Sequence, residues 1–172
     1  MNELVNTNSD IIQRPELSQS VANIYLLNNE YDKAQELFLN SLKLGSNSWM
    51  IMKQLTVISL EKNEFEKAEE YIETSFKFAN SSFEMSQSYH LKALISYNRS
   101  DYENCIKRCK KGITEIKNKD DHYIKLIQLL EAKSLLKLQE ISQAKKLIDS
   151  IIEEDPEIKN IVIQDSELKD LL

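Results

Sequence analysis

Glycine and proline are nearly missing from this chain, which has two of each among its 172 residues. Sandwiches, barrels and doubly wound sheets need these residues at most of their turns, so the deficit argues against a fold built on strands. A chain of this length can bury an apolar core without disulfides or a structural metal. The composition therefore predicts a single all-α domain.

Cysteine and long apolar runs are also scarce. Cys105 and Cys109, the only cysteines, lie four positions apart in one predicted helix, where a mutual disulfide would distort the backbone, so reduced thiols are expected. No segment approaches the roughly 20 apolar residues of a membrane-spanning helix. The opening MNELVNTNSDIIQ is polar and acidic, unlike a signal peptide. These features predict a cytoplasmic protein with no membrane partner.

Positive charge is in deficit as well, with 22 basic against 28 acidic residues and a net charge of −6. Affinity for nucleic acid comes largely from neutralising phosphates, so no nucleic-acid partner is expected. The main local exception is a basic cluster within residues 107–111, which is interpreted as a solvated helix face, with an acidic partner as the alternative. Its members are Lys107, Arg108, Lys110 and Lys111.

What the sequence does contain is an internal repeat. Four segments share one pattern: an amphipathic helix, a short polar break and a second amphipathic helix. Each second helix opens with an apolar anchor and carries a small residue three positions later. The pairs are Tyr31 with Ala34, Phe65 with Ala68, Tyr102 with Cys105, and Ile141 with Ala144, at spacings of 34, 37 and 39 residues.

The helices of each repeat also show where they should pack. Small residues recur in the first helices, at Ala22, Thr56, Ala93 and Ala132. Four residues beyond each small position of the second helices come Phe38, Ile72, Cys109 and Ile148, followed three residues later by Ser41, Ser75, Gly112 and Ile151. Because spacings of three and four keep side chains on one helical face, the pattern predicts a close crossing of two antiparallel helices in every repeat.

The first unit, VANIYLLNNEYDKAQELFLNSL, resembles the tetratricopeptide repeat at Ala22, Tyr25, Tyr31, Ala34, Phe38 and Ser41. The resemblance covers about residues 15–156 and is stronger in the first two units than in the last two, where Cys105, Cys109 and Ile141 replace the usual alanine or aromatic residue. It implies a right-handed α-α superhelix of about four helix-turn-helix repeats plus a C-terminal capping helix. The expected divisions are a frayed N-terminus at 1–13, repeats within 14–156 at about 15–46, 47–81, 82–119 and 120–156, and a capping helix at 157–172.

Helix-end signals agree with this division. Pro15 suits the first turn of a helix, and Gly45 suits a left-handed cap after LNSLKL. The run Ser46 to Ser48 offers N-cap oxygens for the next helix. In the C-terminal segment, Asp165 or Ser166 is expected to act as a cap.

The resemblance also implies a binding site. In this family the first helices of successive units line a concave groove that holds an extended peptide or a helix of a partner. Carried over position by position, the groove residues are Gln19, Asn23, Leu26, Lys53, Val57, Leu60, His90, Leu94, Tyr97, Leu129, Lys133 and Leu136. Apolar residues mixed with a few polar groups suit an amphipathic segment.

One subset of the family grips the carboxy-terminal carboxylates of heat-shock chaperones with a clamp of lysine, asparagine and arginine. Only Asn23 matches that clamp here, and the remaining positions carry no cation. They are Gln19, Gln54, Gln87 and Leu91. Chaperone-tail binding of that type is therefore not expected.

Catalysis is not predicted either. His90 and His122 are the only histidines, and the two cysteines supply fewer than the three or four protein ligands that zinc requires. Gly45 and Gly112 alone cannot form a glycine-rich phosphate loop. We expect no cofactor, no metal and no enzyme activity, and we interpret the cysteines as core residues and His122 as a solvated residue.

The predicted function is a scaffold or adaptor that binds a protein or peptide partner in its groove, as a monomer or weak homo-dimer. Alternatives are a groove that is empty or filled by the chain's own tail, a secretion-type chaperone, and a peptide-sensing regulatory protein. Proteins of three or four repeats resemble type III secretion chaperones, and repeats of 37 to 39 residues resemble bacterial peptide-sensing regulators. No helix-turn-helix precedes the repeats, which disfavours the regulator.

Overall fold

The computed structural model describes residues 13–116 and 122–172. These residues form nine α-helices and a final 3-10 turn, without a strand, so the all-α prediction is confirmed for them. The helices are α1 Pro15–Leu27, α2 Tyr31–Lys43, α3 Trp49–Glu61, α4 Phe65–Phe78, α5 Ser82–Asn98, α6 Tyr102–Glu115, α7 His122–Lys137, α8 Ile141–Glu154 and α9 Ile158–Gln164, and the 3-10 turn is Lys169–Leu171. Apart from Gln13, the predicted frayed segment lies outside the described residues. Across the described ranges, no helix combines the length and apolar character needed to cross a membrane.

The helices pack into two compact units, which divide between Ala79 and Asn80. In the first unit, α1 packs against α2, α2 against α3, and α3 against α4. In the second unit, α5 packs against α6 and α7, α6 against α7, and α7 against α8, while the chain's end contacts α8. Among the described residues, the first unit has one core cluster and the second has two. Each unit contains two of the predicted helix pairs.

The same backbone turn joins the two helices of every pair. A residue with positive φ, the left-handed conformation, stands two positions before each anchor: Asn29 at 59°, Asn63 at 56°, Ser100 at 61° and Gln139 at 63°. The next N–H then donates to the carbonyl five residues back: Glu30 to Tyr25, Glu64 to Ser59, Asp101 to Ser96 and Glu140 to Leu135. This bond closes the preceding helix in a Schellman-type cap. Because the connection is so short, the second helix returns antiparallel to the first.

The predicted small positions are all buried. Every one of them is 0% exposed, in the first helices at Ala22, Thr56, Ala93 and Ala132, and in the second helices at Ala34, Ala68, Cys105 and Ala144. The hydroxyl of Thr56 donates to the carbonyl of Met52, which satisfies its only buried donor. The prediction that a small residue is buried on both helices of each pair is therefore confirmed.

The predicted helix ends are also confirmed. Pro15 opens α1, and Gly45 has a φ of 87° just beyond α2. Ser48 caps α3, since its Oγ accepts a hydrogen bond from the N–H of Ile51 at 3.3 Å. These residues supply the local signals that mark the helix ends.

The C-terminal segment 157–172, called the tail below, is more broken than a single capping helix. Asp165 interrupts it, because its Oδ1 accepts hydrogen bonds from the N–H groups of Glu167, at 2.9 Å, and Leu168, at 3.3 Å. The tail still covers the last repeat, and its buried aliphatic residues share a core cluster with Ile148 and Ile151 of α8. They are Ile158, Val162, Leu168 and Leu171.

Candidate functional site

In the first unit, the groove candidates Gln19 and Asn23 form hydrogen bonds with other polar side chains of the unit. Gln19 of α1 donates from Nε2 to Oγ of Ser46 at 2.9 Å. Asn23 accepts at Oδ1 from Nε2 of Gln54 on α3, at 3.3 Å, which joins the two first helices of this unit side by side. The predicted adjacency of α1 and α3 on one face is therefore present.

Lys53 is the cation of this face. Its Nζ lies 5.1 Å from the ring centroid of Trp49, one helical turn earlier on α3, in a cation–π geometry. Burial lowers the pKa of Lys53. A partly desolvated ammonium group over an indole is suited to an acidic group of a ligand.

The apolar candidates of the first unit differ in how much surface they offer. Val57 is partly buried, and Leu26 is partly buried against the unit's core. Leu60 is only 6% exposed. Leu60 therefore contributes to packing, and Val57 offers more surface for contact.

In the second unit, His90 belongs to an aromatic group rather than to a charged one. Its ring lies 5.8 Å from that of Tyr123 on α7, which also meets Phe83 edge-on at 5.8 Å and His122 at 6.1 Å. Burial, and secondarily the charge of His122, lowers the pKa of His90 from 6.5 to about 4. The imidazole is therefore uncharged at neutral pH, with one ring nitrogen a donor and the other an acceptor.

The aliphatic candidates of the second unit mostly support its core. Leu129 is 5% exposed, and Leu136 is partly buried against the same cluster. Leu94 and Tyr97 are partly buried and pack against a second core cluster. These side chains fix the position of the polar groups between them.

Tyr97 and Lys133, which were predicted as groove residues, meet Lys137 around two carboxylates of the tail. We call Tyr97, Lys133 and Lys137 the lysine–tyrosine clamp. Lys133 Nζ lies 2.5 Å from Oδ2 of Asp165 and 3.5 Å from Oε2 of Glu167, and Lys137 Nζ lies 2.6 Å from Oε1 of Glu167. The hydroxyl of Tyr97 is 2.9 Å from Oε1 and 2.8 Å from Oε2 of Glu167, so it can donate to either oxygen.

The electrostatics of the clamp favour ionised carboxylates. Burial opposes the ionisation of Asp165, but hydrogen bonds from Lys133 and from the backbone of Glu167 outweigh it, so the pKa of Asp165 lies below its usual value. The pKa of Glu167 is lowered in the same way, because bonds from Lys137 and Tyr97 exceed the effect of burial. Burial and the bond to Glu167 raise the pKa of Tyr97, which keeps its hydroxyl a donor. The clamp thus presents hydrogen-bond donors and positive charge to two carboxylates.

Lys137 and Glu167 were not predicted as site residues from the sequence, and Asp165 was expected only as a cap. One signal was present: Lys133 and Lys137 stand four apart on one helix, where like charges cost about 0.2 to 0.5 kcal/mol unless an anion lies between them. The spacing of Asp165 and Glu167 in the tail was the matching signal. The lysines bind the two tail carboxylates. Tyr97 binds Glu167, which is 70 positions away in the sequence.

The basic cluster of the third repeat is partly engaged within its own unit. Arg108 donates from Nη1 to the carbonyl of Lys92 at 2.8 Å, and Lys110 Nζ lies 3.7 Å from Oε1 of Glu131. Glu131 is 7% exposed, and burial raises its pKa. Lys107, Lys110 and Lys111 are nevertheless exposed, which agrees with the interpretation of the cluster as a solvated helix face.

The cysteines are free thiols and completely buried, which confirms them as core residues. Both fall on the face of α6 that packs into the second unit's core. In the ranges 13–116 and 122–172, no three histidine, cysteine, aspartate or glutamate side chains are grouped to hold a metal.

Comparison of the sequence with protein-family models gives no match, and comparison with curated proteins gives no significant match either.

Proposed function

We propose that this chain is a cytoplasmic tetratricopeptide-type adaptor that holds a peptide or helical segment of a partner protein on the face of its first helices. The role is one of binding, without cofactor or catalysis. The repeated left-handed turns and the buried small residue on both helices of each pair support the family assignment, because they are what a helical-hairpin repeat needs to pack closely.

The observation that carries the proposal lies in the second unit. There the face formed by first helices α5 and α7 already holds a non-helical stretch of polypeptide, residues 165–168, through the lysine–tyrosine clamp. Side chains on two adjacent first helices bind this stretch, which is the mode of binding expected of a peptide-holding repeat.

The first unit offers a comparable but distinct surface. Lys53 over Trp49 supplies an orienting charge, and Val57 supplies apolar area one turn later on α3. A few oriented polar groups among apolar side chains are the usual composition of a peptide-binding face.

Site-specific photo-crosslinking in a native extract tests this proposal. Benzoylphenylalanine would be placed singly at Gln19, Val57 or His90 on first helices, and at the exposed positions Glu36 and Lys146 on second helices as matched controls. We expect discrete protein adducts from the first three positions and none from the controls. Adducts from the controls alone would move the site to the outer face, and a lack of adducts at every position would contradict an adaptor role.

A further inference from the structure

We propose that the lysine–tyrosine clamp is a binding site for an acidic peptide of the form acidic–any–acidic–aliphatic, and that Asp165 to Leu168 of the tail is its internal ligand. A partner segment with this chemistry takes the place of the tail. The inference rests on the proposed function, because it names the ligand that one part of the first-helix face selects.

The tail segment is bound as a ligand would be. Asp165 and Glu167 put their carboxylates on two lysines and a tyrosine hydroxyl, with contacts between 2.5 and 3.5 Å. Ser166 between them is exposed, and Leu168 after them is 0% exposed. The site therefore binds two carboxylates and one aliphatic side chain, and it places no requirement on the exposed residue between the carboxylates.

Covering the last repeat does not require this arrangement. The aliphatic residues of the tail alone would cover Ile148 and Ile151, since that coverage is apolar. The two carboxylates instead reach α7 and α5, the first helices of their pairs, where the groove was predicted. The clamp thus does something additional to capping: it recognises an acidic pair.

Partial burial makes this recognition selective. Lys133 and Asp165 keep side-chain exposures of 23% and 19% in their pair, well below those of a fully solvated pair. Such pairs are less screened than surface pairs, and an uncharged replacement leaves a lysine without its counter-charge. A ligand lacking either carboxylate is therefore discriminated against.

The tail competes from within the same chain. A tethered ligand acts at an effective concentration in the millimolar range, so a free peptide of equal affinity binds the intact protein poorly. Weakening the tail's charges while leaving the clamp intact should uncover the site. The substitution Asp165→Asn retains an acceptor for the backbone cap, and Glu167→Gln retains one for Tyr97.

The test uses full-length protein and a fluorescent peptide of sequence DSELKDLL, which corresponds to residues 165–172. Fluorescence anisotropy is measured for wild type and for the Asp165→Asn/Glu167→Gln variant. We expect the variant to bind the peptide at least about tenfold more tightly, which corresponds to about 1.4 kcal/mol. Adding Lys133→Gln and Lys137→Gln to the variant should remove that gain.

Two matched controls isolate the charges. Glu157→Gln/Asp170→Asn removes the same charge from exposed positions of the same tail and should bind like wild type. The peptide NSQLKDLL should bind the uncovered clamp at least about tenfold more weakly than DSELKDLL. Equal binding of both peptides, or a gain that survives loss of both lysines, overturns the proposal.

A measurement on the unaltered chain guards against misfolding of the variants. Millimolar DSELKDLL should accelerate amide hydrogen exchange in residues 158–172 of wild type, whereas NSQLKDLL should not. Unchanged exchange with both peptides overturns the proposal. If wild type is a dimer and Glu167→Gln dissociates it, the tail of a second copy occupies the clamp. That result would also overturn the claim of a separate partner.

Failure of this inference differs from failure of the proposed function. Without peptide selectivity at the clamp, crosslinking from Gln19 and Val57 would still report partner binding in the first unit. Without crosslinks at any first-helix position, the adaptor role itself fails, whatever the peptide does.

Discussion

His90, on α5, packs against the ring of Tyr123 at the start of α7, where its charged form is unfavourable. Its folded pKa of about 4 lies below the ordinary 6.5, so the unfolded chain binds more protons between these values. The stability that this residue contributes is therefore complete above about pH 6.5 and is lost as the pH falls toward 4.

This predicts a pH effect that one substitution removes. Between pH 7 and 5, wild type should lose about 1 to 2 kcal/mol more unfolding free energy than His90→Gln. Urea unfolding followed by far-UV circular dichroism at the two pH values measures the difference. His122→Gln, which changes an exposed histidine, should keep most of the wild-type dependence, and an undiminished dependence in His90→Gln would contradict the assignment.

Among the elements, α6 depends on having no side chain at Gly112. A Cβ built there would lie 2.9 Å from Cβ of Tyr89 and 3.2 Å from its Cγ, atoms fixed close to the backbone of α5. Glycine within a helix normally costs about 1 kcal/mol relative to alanine. Here the close approach of α6 to Tyr89 of α5 explains why a glycine occupies position 112.

Gly112→Ala should therefore destabilise the protein, although alanine is the better helix former. The overpacking cost of about 1 to 3 kcal/mol exceeds the gain in propensity. Thermal melting followed by circular dichroism should show a lower midpoint at unchanged initial helicity. A midpoint at or above that of wild type would mean that α5 and α6 separate there at little cost.

The same elements show what local sequence can and cannot predict. The anchors and small residues predicted the helix pairs, because residues on the buried face of a helix recur with a period of about 3.6 residues. The left-handed turns were less visible: Asn29 and Asn63 favour such a conformation, but Ser100 and Gln139 do not, and there the packing of the pair imposes it. Of the groove candidates, Leu60 and Leu129 have the right spacing but are buried, since spacing alone does not tell a rim from a core.

At the scale of the whole molecule, the tail was expected to cover the last repeat, but its ionic contacts were not foreseen. The covering role follows from composition, because aliphatic residues beyond the last pair need a surface to bury. The clamp depends on a contact between Tyr97 and Glu167, which are far apart in the sequence. Helical periodicity does not predict such a contact. The candidate site was therefore predicted in part, through Tyr97 and Lys133.

Truncation after Asp155 should expose the apolar face of α8 around Ile148, Ile151 and Ile152. Each fully buried aliphatic side chain of the tail contributes roughly 1.5 to 3 kcal/mol, so the second unit should melt at a lower temperature and associate through the bare face. Circular dichroism and light scattering measure the two effects.

The control for truncation is Ile161→Ser/Ile163→Ser in the full chain, which alters tail residues that are 39% and 51% exposed. It should leave both the melting temperature and the monomer nearly unchanged. A truncated protein that melts like wild type and stays monomeric would show that the tail does not stabilise the last repeat.

The position of the only tryptophan gives the two units separate optical signals. Trp49 is 7% exposed and belongs to the first unit, and the second unit contains tyrosines but no tryptophan. Indole emission therefore follows unfolding of the first unit alone, whereas ellipticity follows every helix. If Gly112→Ala lowers the ellipticity midpoint and leaves the emission midpoint in place, the units unfold independently; if both midpoints move together, the chain unfolds in one cooperative transition.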